Sequence, residues 1–222
     1  MRFDGVIFDL DGTLLDTLSD IAACMNRVLQ ANGLPTYSLD EYRYLVGSGL
    51  REMIAGAVPE NRRDPSLVQA LVDGFGHEYN AHWADTSRPY EGIVKLLAEL
   101  HEAGMLLAVL SNKPDAFTQA MVKQLLPAQL FDLTLGHREP FPLKPAPDSA
   151  LHILREFGIT PERAAFVGDM AIDMHTARNA GIASVGVEWG FRPCEELLEA
   201  GATHVASSPS ALGKWLRQGR CP

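Results

Sequence analysis

Gly5-Val6-Ile7-Phe8-Asp9-Leu10-Asp11-Gly12-Thr13 carries more structural information than any other stretch of this chain. Gly5 to Phe8 is a continuous apolar run rich in β-branched and aromatic residues, the pattern of a short strand buried on both faces. Two aspartates follow at its C-terminal end, one on each side of Leu10, and Gly12 lets the chain turn tightly behind them. In an open parallel sheet that edge is where ligands bind. Two acids there point to a divalent metal and phosphoryl chemistry. The alternative, an acidic surface loop, has no reason to abut a hydrophobic strand.

Beyond this junction the pattern turns helical. Leu18, Ile21, Ala22, Met25, Val28 and Leu29 recur at three- and four-residue steps until Gly33, with Asp16 as the expected N-cap. Ser38-Leu39-Asp40-Glu41 has the form of a capping box, Gly47-Ser48-Gly49 breaks the next run, and residues 67–79 are again helical in pattern. Residues 16–87 contain no strand pattern. After Arg88-Pro89-Tyr90, strand and helix patterns alternate. Strands are expected at 105–110, 131–135, 164–167, 183–187 and 203–206. Helices are expected at 93–101, 117–126, 149–157, 172–180 and 194–200, with a last one ending near 216. Alternation of this kind predicts an α/β fold, a Rossmann-like parallel sheet covered by helices on both faces. Residues 1–15 and 88–222 form a discontinuous core domain in this reading, and 16–87 a small all-helical unit inserted after the first strand.

The chain has 222 residues, room for one sizeable core or one core and a smaller domain. No apolar run approaches a membrane span, and Met1-Arg2-Phe3-Asp4 leads straight into the first strand. Neither a membrane partner nor a signal peptide is expected, and the expected location is the cytoplasm. A formal net charge of −9 without a Lys/Arg cluster argues against nucleic acid. The same charge is awkward for an anionic substrate, so a metal ion and a few placed cations have to reverse the local field. Cys24, Cys194 and Cys221 stand far apart, as free thiols do in a reducing compartment. His77 and His82 are five apart, which is not the spacing of two ligands on one helical face. No heptad pattern indicates an assembly, leaving monomer or homodimer.

Three further strand ends carry polar residues. The strand at 105–110 leads into Ser111-Asn112-Lys113, and that at 164–167 into Gly168-Asp169, with Asp173 four residues on. Between them Leu143-Lys144-Pro145-Ala146-Pro147-Asp148 presents Lys144 in a proline-bounded loop. With these in order after Asp9 and Asp11, the sequence resembles the haloacid-dehalogenase-like phosphatases and phosphotransferases over nearly its whole length. The helical insert is similar to that family's small cap. Gly47-Ser48-Gly49, Arg88-Pro89-Tyr90-Glu91-Gly92 and Ser207-Ser208-Pro209 are similar to the phosphoglycolate-phosphatase-like branch.

Phosphate monoesters hydrolyse so slowly that enzymes supply accelerations up to about 10²¹. Attack by a positioned carboxylate divides the displacement into two in-line steps. Asp9, at the strand terminus, is the expected nucleophile. Asp11 can protonate the leaving alkoxide and then deprotonate the attacking water. In the resembling family an aspartate at this place accompanies rapid breakdown of the aspartyl phosphate, while dehalogenases lack it. Two carboxylates 4 Å apart repel by about 4 kcal/mol at an effective dielectric near 20. Mg²⁺ is therefore the expected cofactor, with Asp9 and Asp169 as side-chain ligands and, by the resemblance, Asp11 through its carbonyl. Asp173 either acts through a water, fixes Lys144, or is a first-turn helix acid. Ser111 and the amides after it are expected to donate to phosphoryl oxygens at a helix N-terminus, and Lys144 to offset developing charge. Asn112 reads as a second phosphate donor or a helix cap, and Lys113 as a surface residue. Gly47 and Gly49 are expected to shape a cap loop facing the core. Arg51 is expected either to touch the remote end of the substrate or to be an exposed helix arginine. The substrate is a small phosphorylated metabolite, with phosphoglycolate as the leading guess. The rivals are a sugar phosphomutase of the β-phosphoglucomutase type and a non-catalytic regulatory protein.

Overall fold

The structure, a computed structural model, describes residues 3–218. The chain runs from β1 (Gly5–Phe8) through β2 (Leu15–Asp16) into four helices, α1 (Leu18–Ala31), α2 (Leu39–Leu45), α3 (Leu50–Ala57) and α4 (Pro65–His82). It returns through β3 (Arg88–Pro89) to α5 (Ile93–Glu102), β4 (Leu106–Pro114), α6 (Asp115–Leu125) and β5 (Leu133–His137). Next come α7 (Asp148–Phe157), β6 (Ala164–Gly168), α8 (Ala171–Ala180), β7 (Ala183–Val187), α9 (Cys194–Glu199), β8 (His204–Ala206) and α10 (Pro209–Gln218). Six strands form one sheet in the order β5-β4-β1-β6-β7-β8, every pair parallel. The chain winds outward from β1 in one direction and then in the other, so the switch point lies at β1 itself.

The expected α/β fold is found, and period-two alternation explains how it packs. Val6, Phe8, Leu107 and Val109 face a cluster completed by α5, α6 and α10. Ile7, Ala108, Leu110 and Phe166 face the other side, against α7 and α8. Both surfaces of β1 are covered, which is why its run is apolar without alternation. The four early helices enclose an apolar cluster of their own, including Met25, Tyr42, Ile54, Leu71 and Tyr79. Met170 and Phe191 from the sheet side join that cluster, so the helical block is seated on the C-terminal edge of the sheet.

Several local expectations need correction. Asp16 does not cap α1. It lies in β2, which pairs antiparallel with β3, so that both crossings of the chain meet in one ribbon. Two residues per strand are too few to leave a periodic signal. Thr17 is the N-cap residue, and its side chain makes no capping bond because it donates to Asp11 instead. The Ser38–Glu41 capping box is present. α4 starts two residues before the periodic run, where Asp64 accepts from the Ser66 N–H. β4 continues through Pro114, with a register shift against β5 after Leu110. Cys24 is buried, Cys194 is half-buried, and neither forms a disulfide; Cys221 lies outside the described residues. No helix among the described residues is long and apolar enough to cross a membrane.

Asp20, in the first turn of α1, ties the ribbon to the helical block. Its carboxylate accepts from the N–H and hydroxyl of both Thr86 and Ser87, at 2.6–3.1 Å. Burial pushes its pKa up, but these bonds prevail and hold it below the usual carboxylate value. A group whose pKa is lowered on folding stabilises the fold above its unfolded pKa and loses that contribution as pH falls through the folded one. Asp20→Ala is expected to cost about 2 kcal/mol at pH 7, because it orphans the buried Ser87 donors and removes the bonds from Thr86. Urea titrations should show the gap between wild type and variant narrowing below about pH 4.

Candidate active site

Phe8 is paired with Val109 of β4 and with Val167 of β6. One or two residues further along each chain, Asp9, Ser111 and Asp169 come out at the same edge of the sheet. The Asp9 N–H still bonds to the Val167 carbonyl at 2.9 Å, which holds its side chain at the strand end. Lys144 reaches this edge from the loop before α7. Its ammonium donates to Asp9 Oδ1 at 2.8 Å and to Asp173 Oδ1 at 2.7 Å, and its side chain is 3% exposed. Asp173 accepts from the Met170 N–H through its other oxygen. It is thus both the first-turn acid of α8 and a partner of Lys144, two of the roles its sequence position left open.

Asp169 is held as tightly. Thr13 Oγ1 donates to Oδ1 at 3.0 Å, and the Phe191 N–H donates to Oδ2 at 2.8 Å. Glycines make the room. A Cβ on Gly12, whose φ is +84°, would lie 2.2 Å from Asp169 Oδ2, and one on Gly168 would lie 2.3 Å from the Asp173 side chain. Neither Thr13, although part of the opening motif, nor the Gly190–Phe191 segment is marked by its local sequence pattern. Their common partner, Asp169, is 156 positions from Thr13 and 22 from Phe191.

One carboxylate oxygen each from Asp9, Asp169 and Asp173 lies within 4.8 Å of the others, and all three residues are buried. Burial pushes the Asp9 carboxyl up to about 7, with Asp173 and Asp11 adding to the rise and Lys144 opposing it. Burial, with Asp9 and Asp173 behind it, also raises Asp169 well above the ordinary value. For Lys144, burial alone would lower the pKa, but Asp173 and Asp9 outweigh it and hold the ammonium above the ordinary lysine range. Three clustered acids, two of them bonded to one ammonium, leave the cluster short of positive charge. A crowded, all-oxygen donor set of this kind fits a hard divalent cation.

Asp11 is turned differently. Its carboxylate accepts from Lys113 Nζ at 3.0 and 2.8 Å and from Thr17 Oγ1 at 2.7 Å. Lys113 is therefore not a surface residue. Its side chain is 7% exposed, and its ammonium lies 4.8 Å from the centre of the Tyr79 ring of α4. Burial would lower its pKa, and Asp11 more than compensates. Asn112 also departs from expectation, since its amide is committed to the protein. Oδ1 accepts from the Lys144 N–H at 2.8 Å, and Nδ2 donates to the Lys144 carbonyl at 3.2 Å and to the Gly47 carbonyl at 3.0 Å. Ser111 lines the cleft and accepts the Lys113 N–H, but α6 begins only at Asp115, so no helix N-terminus stands directly behind it.

Gly47 and Gly49 lie against Met170 and Leu143, and their φ values of +123° and +96° suit glycine. Arg51 does not face the site. It is exposed and donates to Gln69. Between the helical block and the sheet edge lies a cleft of about 620 Å³, counting the part open to solvent. Asp9, Asp11, Ser111, Lys113 and Lys144 line it on the sheet side.

The model of the haloacid dehalogenase-like hydrolases matches residues 6–187. The chain belongs to that family. An N-acetylmuramic acid 6-phosphate phosphatase of Pseudomonas aeruginosa is 33% identical over 222 residues, covering 100% of this chain and 98% of the relative. A phosphoglycolate phosphatase of Agrobacterium fabrum is 36% identical over 83% of this chain and 80% of its own length. Among solved structures, a putative phosphoglycolate phosphatase from Lactobacillus delbrueckii superposes with a TM-score of 0.93 at 28% identity, over 99% of this chain and 100% of that one.

Asn112→Ala is expected to lower stability by about 1–3 kcal/mol, since the buried Lys144 N–H and two carbonyls lose their partner. Asn112→Asp should cost more, because it adds a fourth carboxylate and removes the donor. Urea unfolding of the three proteins at pH 7 ranks them.

Proposed function

We propose that the protein is a Mg²⁺-dependent phosphatase of a small phosphorylated metabolite, working through an aspartyl phosphate on Asp9. The observation that carries this reading is the Lys144 ammonium bridging Asp9 and Asp173 beside Asp169, at the sheet edge and under the helical block. In this reading residues 16–87 are a cap over a core of residues 1–15 and 88–222. Asp9 and Asp169, with the Asp11 carbonyl, would hold the magnesium ion, and Asp173 would act from behind through Lys144. A bound Mg²⁺ supplies the positive charge that lets these carboxylates and a phosphate dianion share one site.

The side chains perform the rest. Asp9 attacks phosphorus in line, and the bond to the alcohol oxygen breaks as Asp11 gives that oxygen a proton. Water then attacks the aspartyl phosphate, Asp11 recovers the proton, and inorganic phosphate leaves with Asp9 restored. Lys144 and the Ser111 hydroxyl stabilise charge on the phosphoryl oxygens, which counts for more where water is excluded. Closure of the helical block over a bound substrate would exclude it. Phosphoglycolate and N-acetylmuramic acid 6-phosphate, named for the two relatives above, are the first substrates to try.

Purified protein with MgCl₂ is expected to hydrolyse p-nitrophenyl phosphate, and Asp9→Asn to lose at least about a thousandfold in kcat. EDTA should abolish turnover and Mg²⁺ restore it. On a true substrate, phosphate release should equal ester loss. An isomeric sugar phosphate accumulating in its place would mean a mutase. Equal rates for wild type and Asp9→Asn would remove Asp9 from the chemistry.

A further inference from the structure

The geometry points to a substrate whose alcohol part is neutral beside the ester and presents an apolar face to the helical block. This inference rests on the phosphatase reading. Ile21, Val46, Leu50, Met53 and Phe75 dominate the block's side of the cleft, with Gly47, Gly49 and the Tyr79 ring beside Lys113, and Phe117 of α6 adds to it. Among the described residues, no Lys, Arg, His, Asp or Glu of the block lines the cleft, and Arg51 is turned away to Gln69. The two ammonium groups that do line it come from the sheet side, and both are engaged. Lys144 is shared by Asp9 and Asp173, and Lys113 is bound by both oxygens of Asp11.

A carboxylate two bonds from the ester oxygen, as in phosphoglycolate, would be held towards the helical block, none of whose side chains in the cleft offers it a cation. Enclosing an unpaired charge against an apolar wall is unfavourable. A neutral alcohol carrying methyl or methylene groups instead removes water from that wall. Glycolate brings a single methylene to a wall of five apolar side chains, so most of that wall stays in water. The substrate class is therefore a phosphate ester of a larger alcohol with an apolar face, any charged group being held beyond the apolar wall.

Two matched pairs test this with the full chain and Mg²⁺. Phosphoglycolate is compared with its uncharged amide, and ethyl phosphate with 3-methylbutyl phosphate, by initial rates of phosphate release. The amide is expected to exceed phosphoglycolate in kcat/KM by at least about tenfold, and the branched ester to exceed ethyl phosphate by a similar factor. Leu50→Arg places a cation at the half-buried first residue of α3 and should swing the first ratio towards phosphoglycolate by about tenfold. A wild-type preference for phosphoglycolate over its amide would overturn the inference while leaving the phosphatase reading intact. Absence of phosphate from all four esters would overturn both. The wild-type ratios decide the matter even if Leu50→Arg melts early.

Discussion

Lys144 is the one side chain without which the site could not be buried. Two carboxylates meet its ammonium at under 3 Å, a third stands beside them, and water is almost wholly excluded. Removing one partner from a buried ion pair typically costs about 3–5 kcal/mol, because the charge left behind has neither water nor a counter-ion. Apolar residues in the same space would often be no less stable. The cluster is therefore better understood as stored electrostatic potential than as a device for stability. Three acids facing one ammonium hold a surplus of negative charge that a divalent cation can neutralise.

The surroundings of Lys144 show how such a cluster is kept in register. Asn112 binds both the N–H and the carbonyl of Lys144, fixing the loop from which the ammonium projects. The same amide touches the Gly47 carbonyl of the helical block. One position along, Lys113 joins Asp11 to the neighbourhood of Tyr79. Thr17, at the entry to the block, joins Asp11 from the other side. The end of β4 and the ribbon of β2 and β3 thus connect the polar edge of the sheet with the seated block. Arg43 of α2 adds a bond to the Gly190 carbonyl, next to the residue whose N–H holds Asp169. The seat of the block and the arrangement of the polar groups are thus held by the same hydrogen bonds.

The cleft combines two opposite environments. Its floor is a dense set of charges tied by hydrogen bonds, and its roof is aliphatic and aromatic. Such a contrast orients a ligand without many specific contacts, since an anionic end can settle only on the floor and apolar carbon prefers the roof. The family's chemistry belongs to the floor. In the proposed reading, selection among phosphate esters falls to the roof, whose side chains come from α1, the loop before α3, α3 and α4.

Continuous apolar runs alternating with helical patterns are enough to define the α/β class, because burial on both faces of a parallel sheet leaves a strong local signal. Asp9, Asp11, Lys144, Asp169 and Asp173 stand out in the sequence because acids and a lysine at strand ends or in proline-bounded loops are locally anomalous. Tertiary structure alone decides what those groups touch. Lys113 has the pattern of an ordinary polar residue, yet Asp11, 102 positions away, folds against it. Asn112 has the position of a phosphate donor, yet the Lys144 backbone claims its amide. Arg51 belongs to the right helix but points off the cleft. The two-residue ribbon and the Thr13 contact to Asp169 leave no periodic trace at all. Sequence determined which chemistry could be present, since residue type and strand position are local properties. Hydrogen-bond partners, the charge left uncompensated and the apolar roof were decided by the fold, because each depends on atoms brought together from distant parts of the chain.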